Sequence, residues 1–332
     1  MEAADLKDVT LAFGPVPSRR LGRSLGMNNI PAKTCSYSCV YCQLGKTTNM
    51  TTERQAFYKP EDILKEAKRK VDEAASRNER IDYLTFVSDG EPTLDTNLGK
   101  AISLLKQIGK PIAVLTNASL IWKNDVREDL LGANLVSLKV DAISRDLWRK
   151  VNRPYRDLKL SAIVEGIAEF AEGFRGAITS ETMLVDGVNY SDEFEKIAEF
   201  LKHLKRLNKA YIAIPTRPPT ENWVKPAKEE TINNAFQKFS KKLSARRVEY
   251  LIGYEGNAFA FTGRVEEDLL SITSVHPMRK EAVLEFSRKA RVDWHVIETL
   301  LEENKLIELE YEGNKYYMRR LPGRGKSSPI FQ

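Results

Sequence analysis

The chain has 332 residues, of which 42% are hydrophobic and 30% are charged, a balance typical of a protein that buries a core beneath a solvated surface. Its formal net charge of +6 suits an anionic partner such as RNA, and equally a plain preference for lysine. We find neither a long uncharged apolar run nor an apolar segment near the start, which predicts a cytoplasmic protein without a membrane span.

Runs typical of strands alternate with amphipathic runs typical of helices. Strands are predicted over residues 24–30, 81–88, 111–117, 135–141, 177–185 and 210–215, and helices over 60–75, 98–107, 125–131, 160–171 and 192–207. This alternation predicts an α/β fold with a parallel sheet. Six such units favour a partial (β/α)6 barrel, with active-site residues on loops at the carboxyl ends of the strands. An open doubly wound sheet is the alternative.

A Pro-rich loop over residues 216–226 precedes a predicted helix at 228–243 and strand-like segments at 248–252 and 258–262. Helices at 277–290 and 293–304, followed by a hairpin of 306–309 and 315–319, indicate a winged-helix module. We therefore predict three parts. A barrel domain with an N-terminal lead-in spans 1–262, a winged-helix-like module spans 263–321, and a flexible tail spans 322–332.

The charges of this predicted module are divided between its parts. Its second helix carries the carboxylates of Asp293, Glu298, Glu302 and Glu303. Because carboxylates repel phosphates, contact with a nucleic acid through that helix is disfavoured. The wing and the tail carry the basic residues Lys315, Arg319, Arg320, Arg324 and Lys326. Contact with nucleic acid through the wing, peptide binding and simple packing on the barrel all stay open.

All three cysteines fall in one short segment, Cys35-Ser-Tyr-Ser-Cys39-Val-Tyr-Cys42, directly after the first predicted strand. A disulfide framework would have an even number of cysteines at wider spacing, so these thiols indicate a metal site. Electron-transfer [4Fe–4S] clusters have four cysteine ligands, and a chain that offers three leaves one iron open to another ligand. The alternative is a zinc site completed by a histidine from far along the chain.

The C-x3-C-x2-C spacing, Tyr41 before the last cysteine and the position after the first strand resemble the radical S-adenosylmethionine (radical SAM) superfamily. The resemblance implies that Cys35, Cys39 and Cys42 hold a [4Fe–4S] cluster whose open iron binds SAM. One electron from the cluster then cleaves SAM to a 5′-deoxyadenosyl radical, which abstracts hydrogen from a substrate. A reducing partner of flavodoxin or ferredoxin type is implied as well.

The same resemblance implies that SAM is bound at the ends of the following strands. Residues 88–93 resemble the family's "GE" segment, in which Gly90 permits a close backbone approach, although an ordinary turn would also use Asp-Gly. Lys139 could pair with the SAM carboxylate, or instead with Asp141 at the barrel rim. The predicted cofactor-binding residues are Tyr41, Gly90, Glu91, Asn117, Ser137, Lys139, Asp141 and Glu181.

Four arginines are candidates for binding a phosphate or carboxylate group: Arg19, Arg20 and Arg23 of the lead-in, and Arg217 of the Pro-rich loop. They could equally cover the barrel floor or lie on the surface. The lead-in and the cysteine segment together are similar to a branch of radical SAM proteins grouped with wyosine-forming tRNA enzymes, which implies a tRNA base as substrate. A peptide, protein or small metabolite is the second possibility, and a zinc-dependent nucleic-acid-binding protein is the third. His276 is interpreted as a structural residue.

Overall fold

The computed structural model describes residues 10–320. Its strands are β1 (Ala12–Ser18), β2 (Gly22–Met27), β3 (Thr34–Cys35), β4 (Asn49–Met50), β5 (Tyr83–Phe86), β6 (Ile112–Thr116), β7 (Leu135–Lys139), β8 (Ala177–Met183), β9 (Leu207–Ala213), β10 (Val248–Leu251), β11 (Met278–Arg279), β12 (Leu306–Tyr311) and β13 (Asn314–Arg319). The predicted tail, which includes Arg324 and Lys326, lies outside the described residues. The first nine residues, in which we found no apolar segment, lie outside them as well.

The helices are α1 (Pro60–Ser76), α2 (Leu98–Leu105), α3 (Asn124–Leu130), α4 (Arg145–Asn152), α5 (Leu160–Gly173), α6 (Glu193–Lys202), α7 (Glu229–Leu243), α8 (Val265–Val275), α9 (Lys280–Ala290) and α10 (His295–Glu302). Within residues 10–320, none of these helices combines the length and the apolar character needed to cross a membrane.

Eight strands form one curled sheet in the order β1-β2-β5-β6-β7-β8-β9-β10. Neighbours from β2 to β10 are parallel, whereas β1 runs antiparallel to β2 at the edge. From β5 onward the spatial order follows the chain order, so successive crossovers advance in one direction, whereas a doubly wound sheet reverses at a switch point. The six predicted strands are confirmed as β2 and β5 to β9, and the sheet is a half-barrel.

Helix α1 shows how sequence pattern builds the outer layer. It begins at Pro60, a residue that suits the first turn because its missing N–H would have no partner there. Ile63, Ala67 and Ala74 are buried on one stripe of this helix and belong to the main hydrophobic core. The core therefore lies between the sheet and its helices, and the strand ends remain available for a site.

Several local predictions are wrong. The glycine- and arginine-rich lead-in contributes the edge strand β1, and helices α4 and α8 were not predicted. The helix predicted over 192–207 ends at Lys202, because Arg206 takes a left-handed backbone conformation and β9 begins at the next residue. Residues 258–262 are not a strand, since Gly256 and Gly263 bend the chain on either side with positive φ. Ala260 N nevertheless donates to Pro15 O (3.0 Å), which places this segment along β1.

The C-terminal part contains α8, α9 and α10 with a three-stranded antiparallel sheet in the order β11-β13-β12. The predicted helices are confirmed as α9 and α10 with shorter bounds, and the predicted hairpin is β12–β13. Its apolar core includes Phe13 and Val16 of β1 together with Leu269, Phe286 and Tyr317. The C-terminal part therefore packs directly on the edge of the barrel.

A buried ion pair also joins the two parts. Lys70 of α1 and Asp268 of α8 both have side chains that are 1% exposed, and Lys70 Nζ lies 2.8 Å from Asp268 Oδ1. Thr262 completes the cluster, since its N–H donates to Asp268 Oδ2 (2.7 Å) and its hydroxyl donates to Asp268 Oδ1 (2.6 Å). Every charge in this contact is compensated inside the protein.

Replacing Lys70 by Ala should destabilise the protein strongly, because the Asp268 carboxylate would stay buried without its counter-charge. We expect the free energy of unfolding to fall by about 3–5 kcal/mol, measured by urea denaturation. Lys65→Ala, at an exposed position of the same helix, is the control and should change it by about 0.5 kcal/mol or less. Equal stabilities of the two variants would contradict this account.

Candidate active site

The cysteine loop, residues 35–45, is fixed along one side by the end of α4. Val40 N donates to Val151 O (2.9 Å), and Tyr155 N donates to Ser36 O (2.9 Å). Tyr37 also forms an isolated β-bridge with Pro154. The loop that carries the three thiols is therefore paired with a neighbouring backbone segment.

A second segment, within the Pro-rich loop, holds the cysteine loop from another side. Glu221 N donates to Val40 O (3.2 Å), and the Thr220 hydroxyl donates to Cys42 O (2.8 Å). The Arg153 guanidinium pairs with the Glu221 carboxylate, which ties the two flanking segments together. These contacts attach the Pro-rich loop to the cysteine loop.

Two side-chain amides point at the thiols. Asn117 Nδ2 donates to Cys35 Sγ (3.5 Å), and Asn152 Nδ2 donates to Cys39 Sγ (3.6 Å). Burial raises the pKa of both thiols, that of Cys39 to about 12, so a metal centre that binds them must displace their protons. N–H donors beside the sulfurs stabilise the thiolate form that such a centre requires.

Asp141 is the buried anchor of this region. The Tyr41 hydroxyl donates to one carboxylate oxygen, Asn152 Nδ2 donates to the same oxygen (2.6 Å), and Met183 N donates to the other (2.8 Å). Burial raises the pKa of Asp141, and the nearby Lys139 ammonium opposes this shift. Asp141 thus connects the aromatic residue of the cysteine loop to α4 and to the end of β8.

Glu91 plays a similar bracing part after β5. Its carboxylate accepts hydrogen bonds from Thr93 N (3.1 Å), the Thr93 hydroxyl (2.6 Å), the Thr116 hydroxyl (2.5 Å) and Asn117 N (2.7 Å). Glu91 N donates to Thr34 O (3.1 Å), which joins this turn to the residue before Cys35. The described contacts of the Glu91 side chain are therefore internal to the protein.

Gly90 is required by close packing at the same point. A Cβ atom added to Gly90 would lie 1.8 Å from Thr34 O, far inside van der Waals contact with a backbone atom. The β5 turn can therefore approach the base of the cysteine loop only because residue 90 lacks a side chain.

A cavity of about 330 Å³ fills the barrel between the β1–β2 turn and the cysteine loop. Of the predicted cofactor-binding residues, Tyr41, Lys139 and Glu181 line it, as does Cys42. The other predicted residues, Gly90, Glu91, Asn117, Ser137 and Asp141, are absent from its described lining. The predicted set thus divides into three residues that line the cavity and five that do not.

The Glu181 carboxylate sits between two cations at the cavity wall. It pairs with Lys139 and with Arg20, so the alternative of a Lys139–Asp141 ion pair is not the arrangement found. Burial alone would raise the pKa of Glu181, but Lys139 and Arg20 outweigh it and lower the pKa to about 2. Lys139 Nζ also lies 5.0 Å from the centre of the Tyr41 ring, within range of a cation–π contact.

A second charged group lies where the cavity meets the C-terminal part. Arg217 donates to Glu255 Oε1 (2.5 Å) and to Gln43 Oε1 (2.7 Å), and His276 Nε2 lies 2.7 Å from Glu255 Oε1. Burial and the adjacent Arg217 lower the pKa of His276 to about 4, so its imidazole is neutral at pH 7. Arg217 is therefore a wall residue of the cavity and not an isolated surface arginine.

The lead-in arginines divide between two places. Arg19 and Arg20 line the cavity, where Arg19 NH1 also donates to Gly253 O (2.8 Å). Arg23 instead pairs with Glu79 (2.8 Å). Arg19 and Arg20 belong to the turn between β1 and β2, and the sequence had left open whether the lead-in arginines lie at the site or cover the barrel floor.

Sequence reasoning also missed Asn152, Gln43 and Glu255, and it left His276 out of the site. Helix α4 had a readable signal, because Leu147, Trp148 and Val151 form one apolar stripe ahead of Asn152. Glu255 and His276 had none, since their role depends on how the C-terminal part packs on the barrel. Within residues 10–320, no group of three or more His, Cys, Asp and Glu side chains is arranged to hold a metal ion.

Comparison with known proteins identifies a matching family model and similar curated proteins. The model of the Radical SAM superfamily matches residues 29–201. The UPF0026 protein MJ1312 of Methanocaldococcus jannaschii is 48% identical over 96% of this chain and 99% of its own length. The UPF0026 protein slr1464 of Synechocystis sp. is 38% identical over 62% of this chain and 76% of its own length.

Among solved structures, a radical SAM methyltransferase from Sphaerobacter thermophilus superposes with a TM-score of 0.51 and 16% sequence identity. The match covers 70% of this chain and 66% of that chain. At this level of identity, the likeness concerns the fold alone.

Gly90→Ala should disturb the cysteine loop, because the new methyl group would collide with the Thr34 carbonyl. After anaerobic reconstitution, we expect clearly less iron and sulfide per chain than in the wild type, measured by chemical analysis. Gly173→Ala is the matched control, since nothing lies within 4 Å of its added Cβ. Full cluster content in Gly90→Ala would show that this close approach is not needed.

Proposed function

Because the chain belongs to the radical SAM superfamily, we propose that Cys35, Cys39 and Cys42 hold the [4Fe–4S] cluster that this family uses together with SAM. The protein is a radical SAM enzyme. When bound, the cluster and SAM supply a one-electron cleavage that yields a 5′-deoxyadenosyl radical able to abstract hydrogen from a substrate.

The observation that carries this proposal is the environment of the three thiols. They are the only cysteines of the sequence, they share one braced loop, and two of them receive N–H hydrogen bonds at sulfur. Soft thiolates suit iron–sulfur clusters, and a set of three leaves one iron for SAM. A cubane binds each thiolate at a different iron, so its ligands need not converge on one point as they do around zinc.

We propose two kinds of role for the predicted cofactor-binding residues. Tyr41, Lys139 and Glu181 line the cavity, so they are positioned to touch SAM, with Lys139 able to meet its carboxylate. Gly90, Glu91, Asn117 and Asp141 hold the surrounding loops through the contacts described above. For Ser137, which is buried in β7, we propose a contact with the ribose hydroxyls of SAM, which the family resemblance of this strand implies.

For the substrate, we propose an RNA, and a tRNA base in particular. The net charge of +6 favours a polyanionic partner, and a cavity of about 330 Å³ admits a group of limited size, as a single base is. We also propose that the C-terminal part is a winged-helix-like module whose hairpin β12–β13 contacts the RNA through Lys315 and Arg319. The reaction would take place in the cytoplasm.

A peptide, protein or small metabolite is the second candidate, and one observation favours it. The C-terminal part closes over the strand β9 side of the barrel, since the Tyr316 hydroxyl donates to Thr216 O (2.9 Å) and Gln43 Nε2 donates to Val275 O (2.7 Å). A covered mouth suits a small substrate. The zinc-dependent binding protein considered from the sequence is set aside, because the family is one of radical SAM enzymes.

Replacing any one of Cys35, Cys39 and Cys42 by Ala should abolish the formation of 5′-deoxyadenosine from SAM in the presence of dithionite. The reason is that each thiolate binds one iron, and removing it leaves the cluster incomplete. The control is Lys46→Ala. Lys46 is exposed and directly follows the cysteine loop, so this variant should retain the wild-type rate. Circular dichroism checks that each variant is folded, and a folded cysteine variant with full activity would refute the ligand assignment.

The tRNA proposal predicts that bulk tRNA from a strain lacking the protein stimulates 5′-deoxyadenosine formation and gains a mass change on one base. Replacing Lys315, Arg319 and Arg320 by Ala should weaken tRNA binding and reduce its salt dependence. The control replaces the exposed residues Lys65 and Lys68 of α1, and Lys110 just before β6, by Ala. If tRNA does not change the rate of SAM cleavage and its bases keep their masses, the result would favour a peptide, protein or small metabolite as substrate.

A further inference from the structure

A cationic surface lies against the outside of the cysteine loop. We call it the basic face, and it consists of Lys46, Lys150, Arg153, Trp223 and Lys225. Lys46 Nζ lies 4.0 Å from Glu221 Oε1, and the Arg153 guanidinium pairs with the same carboxylate. These contacts bring residues from the cysteine segment, the end of α4 and the Pro-rich loop onto one surface.

The remaining two lysines extend this surface past the end of β8. Lys150 Nζ donates to Gly187 O (3.5 Å), and the preceding residue, Asp186, donates its N–H to Lys225 O (3.0 Å). Lys150 and Lys225 are exposed. Residues 186 and 187 therefore connect the backbone of Lys225 to the side chain of Lys150.

The basic face is close to the thiols but separate from the cavity. Arg153 directly follows Asn152, whose amide lies 3.6 Å from Cys39 Sγ. Cys42, Gln43 and Leu44 of the same loop line the cavity, and its described lining includes none of the basic-face residues. A molecule on the basic face would thus lie beside the cluster ligands without entering the substrate space.

The chemistry of this surface favours an acidic protein. Four cations, Lys46, Lys150, Arg153 and Lys225, stand against the carboxylates of Glu221 and Asp186, and the side chain of Lys46 is 73% exposed. Trp223 is 44% exposed in their midst. An exposed tryptophan among basic residues is typical of the centre of a protein–protein contact.

We propose that the basic face docks the acidic one-electron carrier protein that reduces the cluster, a partner with the chemistry of a flavodoxin or ferredoxin. This rests on the proposed function, since radical SAM enzymes need a reductant. One electron passes from the reduced carrier, which is oxidised by one electron, through the cluster to the sulfonium of SAM. The S–C5′ bond breaks, and the products are methionine and the 5′-deoxyadenosyl radical.

An RNA is a less suitable occupant of this surface. A substrate must deliver its reacting atom into the cavity, whose described lining includes none of the basic-face residues. A carrier protein needs only to bring its redox group close to the loop. The position of the basic face therefore distinguishes between two partners that its charge alone would attract equally.

The test is a charge reversal, Lys46→Glu with Lys150→Glu and Lys225→Glu, in the reconstituted full-length protein. Binding of a fluorescently labelled acidic flavodoxin is measured by anisotropy, and SAM cleavage is measured with flavodoxin and with dithionite as alternative reductants. We expect the Kd for flavodoxin, and the flavodoxin concentration for half-maximal cleavage, to rise at least about tenfold. The dithionite-driven rate should equal that of the wild type, and wild-type binding should weaken with added salt.

The matched control, Lys65→Glu with Lys68→Glu and Lys110→Glu, makes the same charge change at exposed lysines outside the basic face and should leave flavodoxin binding intact. Unchanged flavodoxin affinity in the basic-face variant would overturn the proposal. Lost affinity for bulk tRNA with retained affinity for flavodoxin would also overturn it and assign the surface to RNA. Failure of the proposed function looks different, because then the wild type forms no 5′-deoxyadenosine even with dithionite while anisotropy still reports binding.

Discussion

The structure depends first on how one loop is held from several sides. The cysteine loop follows the end of β2, where a parallel half-barrel presents its strand ends, and its backbone pairs with residues 151–155 and with residues 220–221. Three thiols on a free loop would lose considerable conformational entropy on binding a cluster. Here the protein fold has already fixed that loop, which leaves ligand binding to act mainly through the sulfur atoms.

The same principle explains the buried polar residues around the loop. Glu91 and Asp141 are carboxylates inside a hydrophobic setting, and each is satisfied by several donors from different strand ends. On the cavity side, Glu181 and Glu255 serve as counter-charges that keep Lys139, Arg20 and Arg217 in defined positions. Fixed charges beside the cavity can orient a zwitterionic cofactor.

The pattern of the sequence was sufficient for the six central strands and for the family, because alternating apolar periodicity and a short motif are both local signals. It was insufficient for β1, because the glycines and arginines of the lead-in are not typical of a strand. This strand is stabilised by pairing with β2 and by packing against the C-terminal part. His276 and Glu255 line the cavity only because of tertiary packing, so no local sequence pattern predicts their position. The sequence predicted that Gly90 permits a close backbone approach at the cofactor, and the described neighbour of this position is the Thr34 carbonyl of the protein itself.

The central claim is that three thiolates hold a cluster and leave one iron open for SAM. Electron paramagnetic resonance of the dithionite-reduced, anaerobically reconstituted protein, recorded without and with SAM, tests it most directly. The account predicts the signal of a reduced [4Fe–4S] cluster whose g-values shift when SAM is added, because SAM becomes a ligand of the open iron. A cluster signal that SAM leaves unchanged, or iron bound without sulfide, would contradict it.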